Sequence, residues 1–142
     1  MVKEYSLKKD GDTLLTKNFK IREFRCRDGS DKILIDTDLI KLIQKLRDHL
    51  GKPIVITSGY RTESHNKAVG GATNSLHKLG KASDIFCNGV DARDIAKWFY
   101  ENGAKGIGLY INRAQEFVHV DTRDTKYYWI QDGSNTKQVD KF

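Results

Sequence analysis

Apolar residues recur at Leu39, Ile40, Leu42, Ile43, Leu46 and Leu50, the spacing of one face of a helix. Asp36 or Thr37 can cap its start, and Gly51 with Pro53 ends it, so the pattern predicts a helix over 36–50. Ile54-Val55-Ile56-Thr57 is β-branched and bounded by Pro53 and Gly59, which reads as a buried strand. Residues 62–69 read as a helical turn, after which Gly70-Gly71 opens a loop. A second strand is expected over 82–87. Asp91 starts a second helix reaching Asn102, with Ile95, Trp98 and Phe99 as its buried face and Gly103 as its stop. Residues 106–111 and 117–121 read as strands joined by a link short enough for a hairpin. Tyr127-Tyr128-Trp129-Ile130 is a last apolar segment before a polar tail. Residues 1–17, polar and weakly patterned, are expected to be an N-terminal arm to a single domain over 18–142. Phe19, Ile21, Phe24 and Cys26 can anchor a short element against the core. Helices and strands are partly segregated and hairpin links come late, which favours an α+β fold with helices packed on an antiparallel sheet.

A chain of 142 residues suits one domain with a real core. No apolar run approaches the roughly 20 residues needed to span a bilayer, and the first residues contain no apolar h-region of a secretory signal. Twenty-five basic against 19 acidic residues give a net charge of +6, which favours anionic partners such as a cell wall. No basic helix interleaved with aromatics is present, so nucleic acid is not expected as a partner. Cys26 and Cys87 form no CxxC and neither has a plausible base beside it in sequence. They read as two small buried or half-buried thiols, with a disulfide between them left open by the sequence.

Chemistry concentrates in residues 75–84, Ser-Leu-His-Lys-Leu-Gly-Lys-Ala-Ser-Asp, and in Glu116-Phe-Val-His119-Val-Asp121. His77, Asp84 and His119 offer a metal two imidazoles and a carboxylate. Three protein ligands leave one position open for water, as catalytic zinc sites do. Glu116, three residues before His119, is the candidate general base. In a regular strand residues three apart face opposite ways, so Glu116 must sit in the turn before the strand or on a bulge to share a site with His119. Asp121 shares the strand face of His119 and can orient a metal ligand or pair with Arg123. Tyr60, Tyr110 and Trp129 are candidates for either a cleft or the core. His49, at the end of the first helix, is placed to favour the helix dipole.

Together, Ser58-Gly59-Tyr60-Arg61, His65-Asn66, Gly70-Gly71-Ala72, the S-x-H-x-x-G-x-A-x-D segment and E-x-x-H followed by Val-Asp resemble the zinc D-alanyl-D-alanine peptidases. That family includes bacterial carboxypeptidases, dipeptidases and phage endolysins, and shares its fold with the hedgehog signalling domain. The resemblance covers roughly residues 18–123. It implies a hedgehog/DD-peptidase-like fold, one zinc per chain on His77, Asp84 and His119, and Arg61 reaching the substrate carbonyl or terminal carboxylate. It leaves His65 outside the metal set, in a turn-stabilising role with Asn66. Ser75 is expected either to bind substrate or to brace the ligand loop.

The expectation is a zinc metallopeptidase that hydrolyses an amide in peptidoglycan stem peptides, with Glu116 and Arg61 catalytic and Arg61 and Ser75 binding substrate. D,D-carboxypeptidase, D,D-endopeptidase and L-alanyl-D-glutamate endopeptidase activities all suit these ligands. The alternative is a non-catalytic wall-binding or signalling module that keeps the metal and the fold. A monomer is expected, held in the cytoplasm until released to the wall as endolysins are, or else a domain of a larger wall-associated protein.

Overall fold

The computed structural model describes residues 1–142. In chain order it runs β1 (Val2–Ser6), α1 (Leu7–Asp10), β2 (Leu14–Thr16), β3 (Phe19–Lys20), a single 3-10 turn (Ile21–Phe24), β4 (Lys32–Asp36), α2 (Thr37–Leu50), β5 (Val55–Ser58) and α3 (Glu63–Ala68). A second 3-10 turn (Leu76–Leu79) precedes β6 (Ala82–Phe86), α4 (Ala92–Glu101), β7 (Gly106–Ile111), β8 (Phe117–Asp121), β9 (Tyr127–Asp132) and β10 (Asn135–Val139). The fold is α+β.

The helices form where the pattern places them. Asp36 caps α2 by accepting the Asp38 N–H, and Gly51 closes it in the left-handed region at φ +64°, which glycine adopts without a Cβ penalty. Leu39, Ile40, Ile43 and Leu46 are buried on one stripe. Asp91 caps α4, whose buried face is Ala92, Ile95, Ala96 and Phe99. Trp98, expected among them, is only half-buried. It stacks on His49 at the end of α2, with ring centres 5.8 Å apart.

Six strands form one sheet in the order β10-β9-β7-β8-β6-β5. All neighbours are antiparallel except β7 and β9, which run parallel. The pleat divides this sheet into two chemistries. Ile85, Ile107, Leu109, Val118 and Val120 face the core, with α4 packed against β7 and β8. The opposite face carries a cross-strand row, Asp84 on β6, His119 on β8, Gly108 on β7 and Trp129 on β9.

Several expectations are corrected. β5 is an edge strand, with Ile56 buried but Val55 and Thr57 exposed, rather than a buried one. The polar tail after Ile130 contains β10, which pairs with β9 and forms the other edge. Edge strands need no apolar alternation, so the hydropathy pattern does not reveal this one. Residues 1–17 carry β1, α1 and β2; β1 pairs with β4 over five residues and β2 with β3. Within β4, Ile33 and Ile35 are buried, an alternation hidden beside the stronger helical stripe that follows.

Candidate metal centre

Ser75 caps the turn over Leu76–Leu79, its Oγ accepting the His77 N–H at 3.2 Å. Of its two expected roles, bracing the ligand loop is visible in the structure. Gly80 ends the turn at φ +73°, so close to Leu34 that a Cβ would strike backbone there. The turn buries the His77 ring with Nδ1 2.8 Å from the Gly59 carbonyl oxygen. That oxygen accepts the Nδ1 proton and leaves Nε2 facing Asp84 Oδ1 at 3.2 Å. His119, the register partner of Asp84, brings Nδ1 to 3.1 Å from the same oxygen. On its far side, Nε2 donates to Asp121 Oδ2 at 2.7 Å. Two imidazole nitrogens and a carboxylate oxygen thus converge, all within 4.8 Å of one another and all buried.

The charges are tightly matched. Burial alone would raise the Asp84 carboxyl, but the charges of His77 and His119 and their hydrogen bonds override it and hold it well below the ordinary range. Burial would lower His119; hydrogen bonds to Asp121 and Asp84 reverse this and push it up to about 9. Asp121 is likewise held low, burial being outweighed by hydrogen bonds from Arg123 and His119. An anionic carboxylate between two imidazoles is a pocket that asks for a cation, and this donor set suits zinc. His77, Asp84 and His119 therefore fit the expected metal.

Asp121 is the support behind the centre. It accepts from Arg123 Nε at 2.8 Å and Nη2 at 2.6 Å while holding His119. Of the two roles open to it in sequence, it plays both. Its place depends on Gly106, its register partner, where a Cβ would land on its carboxylate. Gly108 likewise vacates the space filled by the Trp129 indole, which packs on His119 with ring centres 5.1 Å apart. The Gly-Ile-Gly of β7 is thus a functional feature that hydropathy alone does not expose. A glycine in a strand interior is the available signal, because it marks close approach of another group.

Arg61 lies beside the cluster. Nη2 is 3.3 Å from Asp84 Oδ2, Nε donates to Ser58 Oγ at 2.9 Å, and Nη1 donates to Asn66 Oδ1 at 3.2 Å. The guanidinium carries five N–H groups, so donors remain beyond these three bonds. Asn66, buried in α3, also donates to the Ala72 carbonyl at 2.9 Å, and a Cβ on Gly71 would collide with its amide. Asn66 is thus the bolt between the Gly-Gly-Ala loop and Arg61, a role the sequence reading assigned only loosely.

A cleft of about 610 Å³ opens over the cluster, within the range of small-molecule and peptide sites. Arg61, Ser75, Tyr110, Arg113, Phe117 and Trp129 are among its walls. Tyr110 and Trp129 take the cleft position, with Trp129 Nε1 donating to the Tyr110 hydroxyl at 3.2 Å, whereas Tyr60 is in the core.

Glu116 is not brought to the cluster. Phe117 and His119 face the cleft and Glu116, one residue before β8, faces away, as the strand period requires. Its Oε1 pairs with Arg93 Nη1 at 3.2 Å and its Oε2 accepts the Asn112 N–H at 2.9 Å. Glu116 borders a separate cleft that shares Arg113 with the first. His65 is also outside the metal set. It lies with Cys26 and Asp28 in a second group whose donor atoms are within 4.8 Å of one another. Cys26, read as having no base nearby, has an imidazole beside it after all, because α3 folds back onto the turn after Phe24.

The geometry brings three potential metal ligands together on a sheet face, open to a cleft. The peptidase M15 family model matches residues 13–121, and the chain belongs to that family. The family's members are zinc-dependent peptidases, related to the D-alanyl-D-alanine carboxypeptidases. No curated protein matches the chain. No helix is long and apolar enough to cross a membrane.

Proposed function

We propose that this metallopeptidase hydrolyses an amide bond in bacterial peptidoglycan stem peptides, on a hedgehog/DD-peptidase-like fold with one zinc held by His77, Asp84 and His119. The carrying observation is the convergence of those three buried donors on the floor of an open cleft, with Arg61 alongside. Zinc in such a site polarises a carbonyl and lowers the pKa of water. The chain's own residues do the rest. Gly59 and Asp121 accept the protons of the far nitrogens of the two histidines, so that a bound cation, in displacing the inward protons, would find a ligand nitrogen on each ring. Arg61 turns its remaining donors to the scissile carbonyl, where negative charge develops, or to a terminal carboxylate. The basic cleft wall of Arg61, Arg113 and Arg123 suits an acidic stem peptide.

Glu116 accepts the proton from the attacking water and returns it to the leaving amine. To do so it must release Arg93 and turn into the neighbouring cleft. The ion pair is half-exposed and screened by solvent, so its release is energetically small. That resting position is also the observation that favours the second reading, a zinc-containing wall-binding or signalling module without useful catalysis. Digestion of purified peptidoglycan by zinc-saturated protein, with new chain ends identified by mass spectrometry, separates the two. New D-alanine, D-Ala-D-Ala-derived or L-alanine ends carry the peptidase reading and name the bond. Intact stem peptides under zinc saturation carry the second. His77→Ala and His119→Ala are each expected to bind one equivalent of zinc fewer than wild type; wild-type stoichiometry in both overturns the ligand assignment.

A further inference from the structure

Cys26, Asp28 and His65 form a cluster that the proposed chemistry does not use. Cys26 is fully buried, Asp28 is exposed and His65 is half-buried between them. Thr62 stitches the three together. Its N–H points at Cys26 Sγ from 3.4 Å, its hydroxyl donates to Asp28 Oδ2 at 2.8 Å, and the same Oγ accepts the His65 N–H at 3.2 Å. His65 is thus held through its backbone, which leaves its ring to face the thiol and the carboxylate.

We propose that Cys26, Asp28 and His65 form a second metal site, taking zinc or a similar thiophilic divalent cation through sulfur, nitrogen and oxygen. Thiolate and imidazole select zinc-like ions over magnesium or calcium. Zinc bonds of about 2.0–2.3 Å set tetrahedral ligands roughly 3.3–3.8 Å apart. The donor atoms, within 4.8 Å of one another, close to that range by movement available to the exposed Asp28 side chain and the half-buried His65 ring. Binding displaces the Cys26 proton to solvent, and water completes the coordination on the exposed side. The location gives the site its purpose. Thr62 begins α3 and follows Arg61 directly, so a metal there clamps the turn after Cys26 to the corner that aims Arg61 at the cleft. It is a positioning site, one peptide unit from the cleft and chemically distinct from the first, which contains no sulfur.

Cobalt(II) is the probe, titrated into fully reduced, metal-free protein. Wild type is expected to bind two equivalents and to show a thiolate-to-cobalt charge-transfer band. The band persists in the His77→Ala/His119→Ala double variant at one equivalent, and vanishes in Cys26→Ser. His65→Ala keeps the thiol, spares the fully buried position, and is expected to weaken the second equivalent at least tenfold with the first unchanged. Circular dichroism checks that each variant is folded. One equivalent without a thiolate band in wild type overturns the proposal, as does a band that survives in Cys26→Ser, which would report Cys87. Two equivalents unchanged in His77→Ala/His119→Ala would instead sink the first assignment and leave this one standing.

Discussion

Asp121 offers the sharpest test of how the metal centre is built. Its side chain is fully buried and anionic, and it accepts from His119 Nε2 and from both Arg123 nitrogens. Asp121→Asn keeps the shape and one acceptor oxygen but removes the charge. The single oxygen must then serve either His119 or Arg123, and the amide's own N–H groups face donors. Hydrogen bonds to ionised groups are roughly twice as strong as neutral ones, so His119 loses both basicity and a fixed tautomer. Loss of such a partner behind a ligating histidine typically costs about 10–100-fold in metal affinity, or about 1.4–2.7 kcal/mol. Zinc dissociation constants measured by chelator competition are expected to rise by that factor while circular dichroism stays native. Gly106→Ala reaches the same carboxylate from the opposite strand, since its Cβ would displace it, and is expected to weaken zinc in the same direction. Asp121→Asn with wild-type zinc affinity would refute the claim that Asp121 sets the His119 nitrogen.

Glu116→Gln is expected to retain zinc and lose about 10²–10⁴-fold in turnover, whereas Arg93→Ala, which frees Glu116, is expected to keep or raise it; near-normal turnover in Glu116→Gln makes that residue a bystander. Arg61→Lys keeps the charge but not the fork that holds Asp84, Ser58 and Asn66, so kcat on defined stem peptides should recover only part of what Arg61→Ala loses; equal kcat/KM in both variants and wild type removes Arg61 from the site. Asp36 is predicted to stabilise the fold in a pH-dependent way. Burial would raise its carboxyl, but the Thr122 hydroxyl, the Met1 amino group and the Asp38 N–H hold it low. A depressed folded pKa contributes stability above the unfolded value of about 3.9 and loses it as pH falls through the folded pKa. Asp36→Asn should therefore cost about 1–2 kcal/mol at pH 7 and progressively less as pH falls below about 3.9; denaturant midpoints showing a pH-independent cost would refute it.

The parts of the fold that bury apolar surface with a regular period were legible. α2, α4 and the strands β6, β7 and β8 follow from their apolar patterns, whereas β9 read only as an apolar segment. The parts held by pairing alone were not. β10 is an exposed ribbon that hydrogen-bonds to β9, and β1 joins β4 with only partial burial. A backbone ladder has no compositional signature, so an edge strand built of polar residues reads as a tail. Trp98 shows the converse, an aromatic at helical spacing that ends at a rim because His49 provides a surface for it.

Within the site, legibility depended on whether a residue's role is carried by its own chemistry or by its neighbour's. His77, Asp84 and His119 carry donor atoms, and donor atoms at family spacing can be recognised without coordinates. Gly106 and Gly108 act by being empty, and what fills the space comes from Asp121 across one strand boundary and Trp129 across the other. Only the register of three strands reveals that exchange. Glu116 is the instructive case, since its spacing to His119 promised a shared site while the two-residue period of β8 opposed it. The strand won: a ladder of five paired residues fixes where every side chain of β8 points, and a residue outside that ladder takes whatever partner is nearest. Arg93, on the first turn of α4, is that partner. Recruiting that carboxylate requires breaking its half-exposed ion pair with Arg93 and its hydrogen bond from the Asn112 N–H. That is why Arg93→Ala and Glu116→Gln are predicted to move turnover differently.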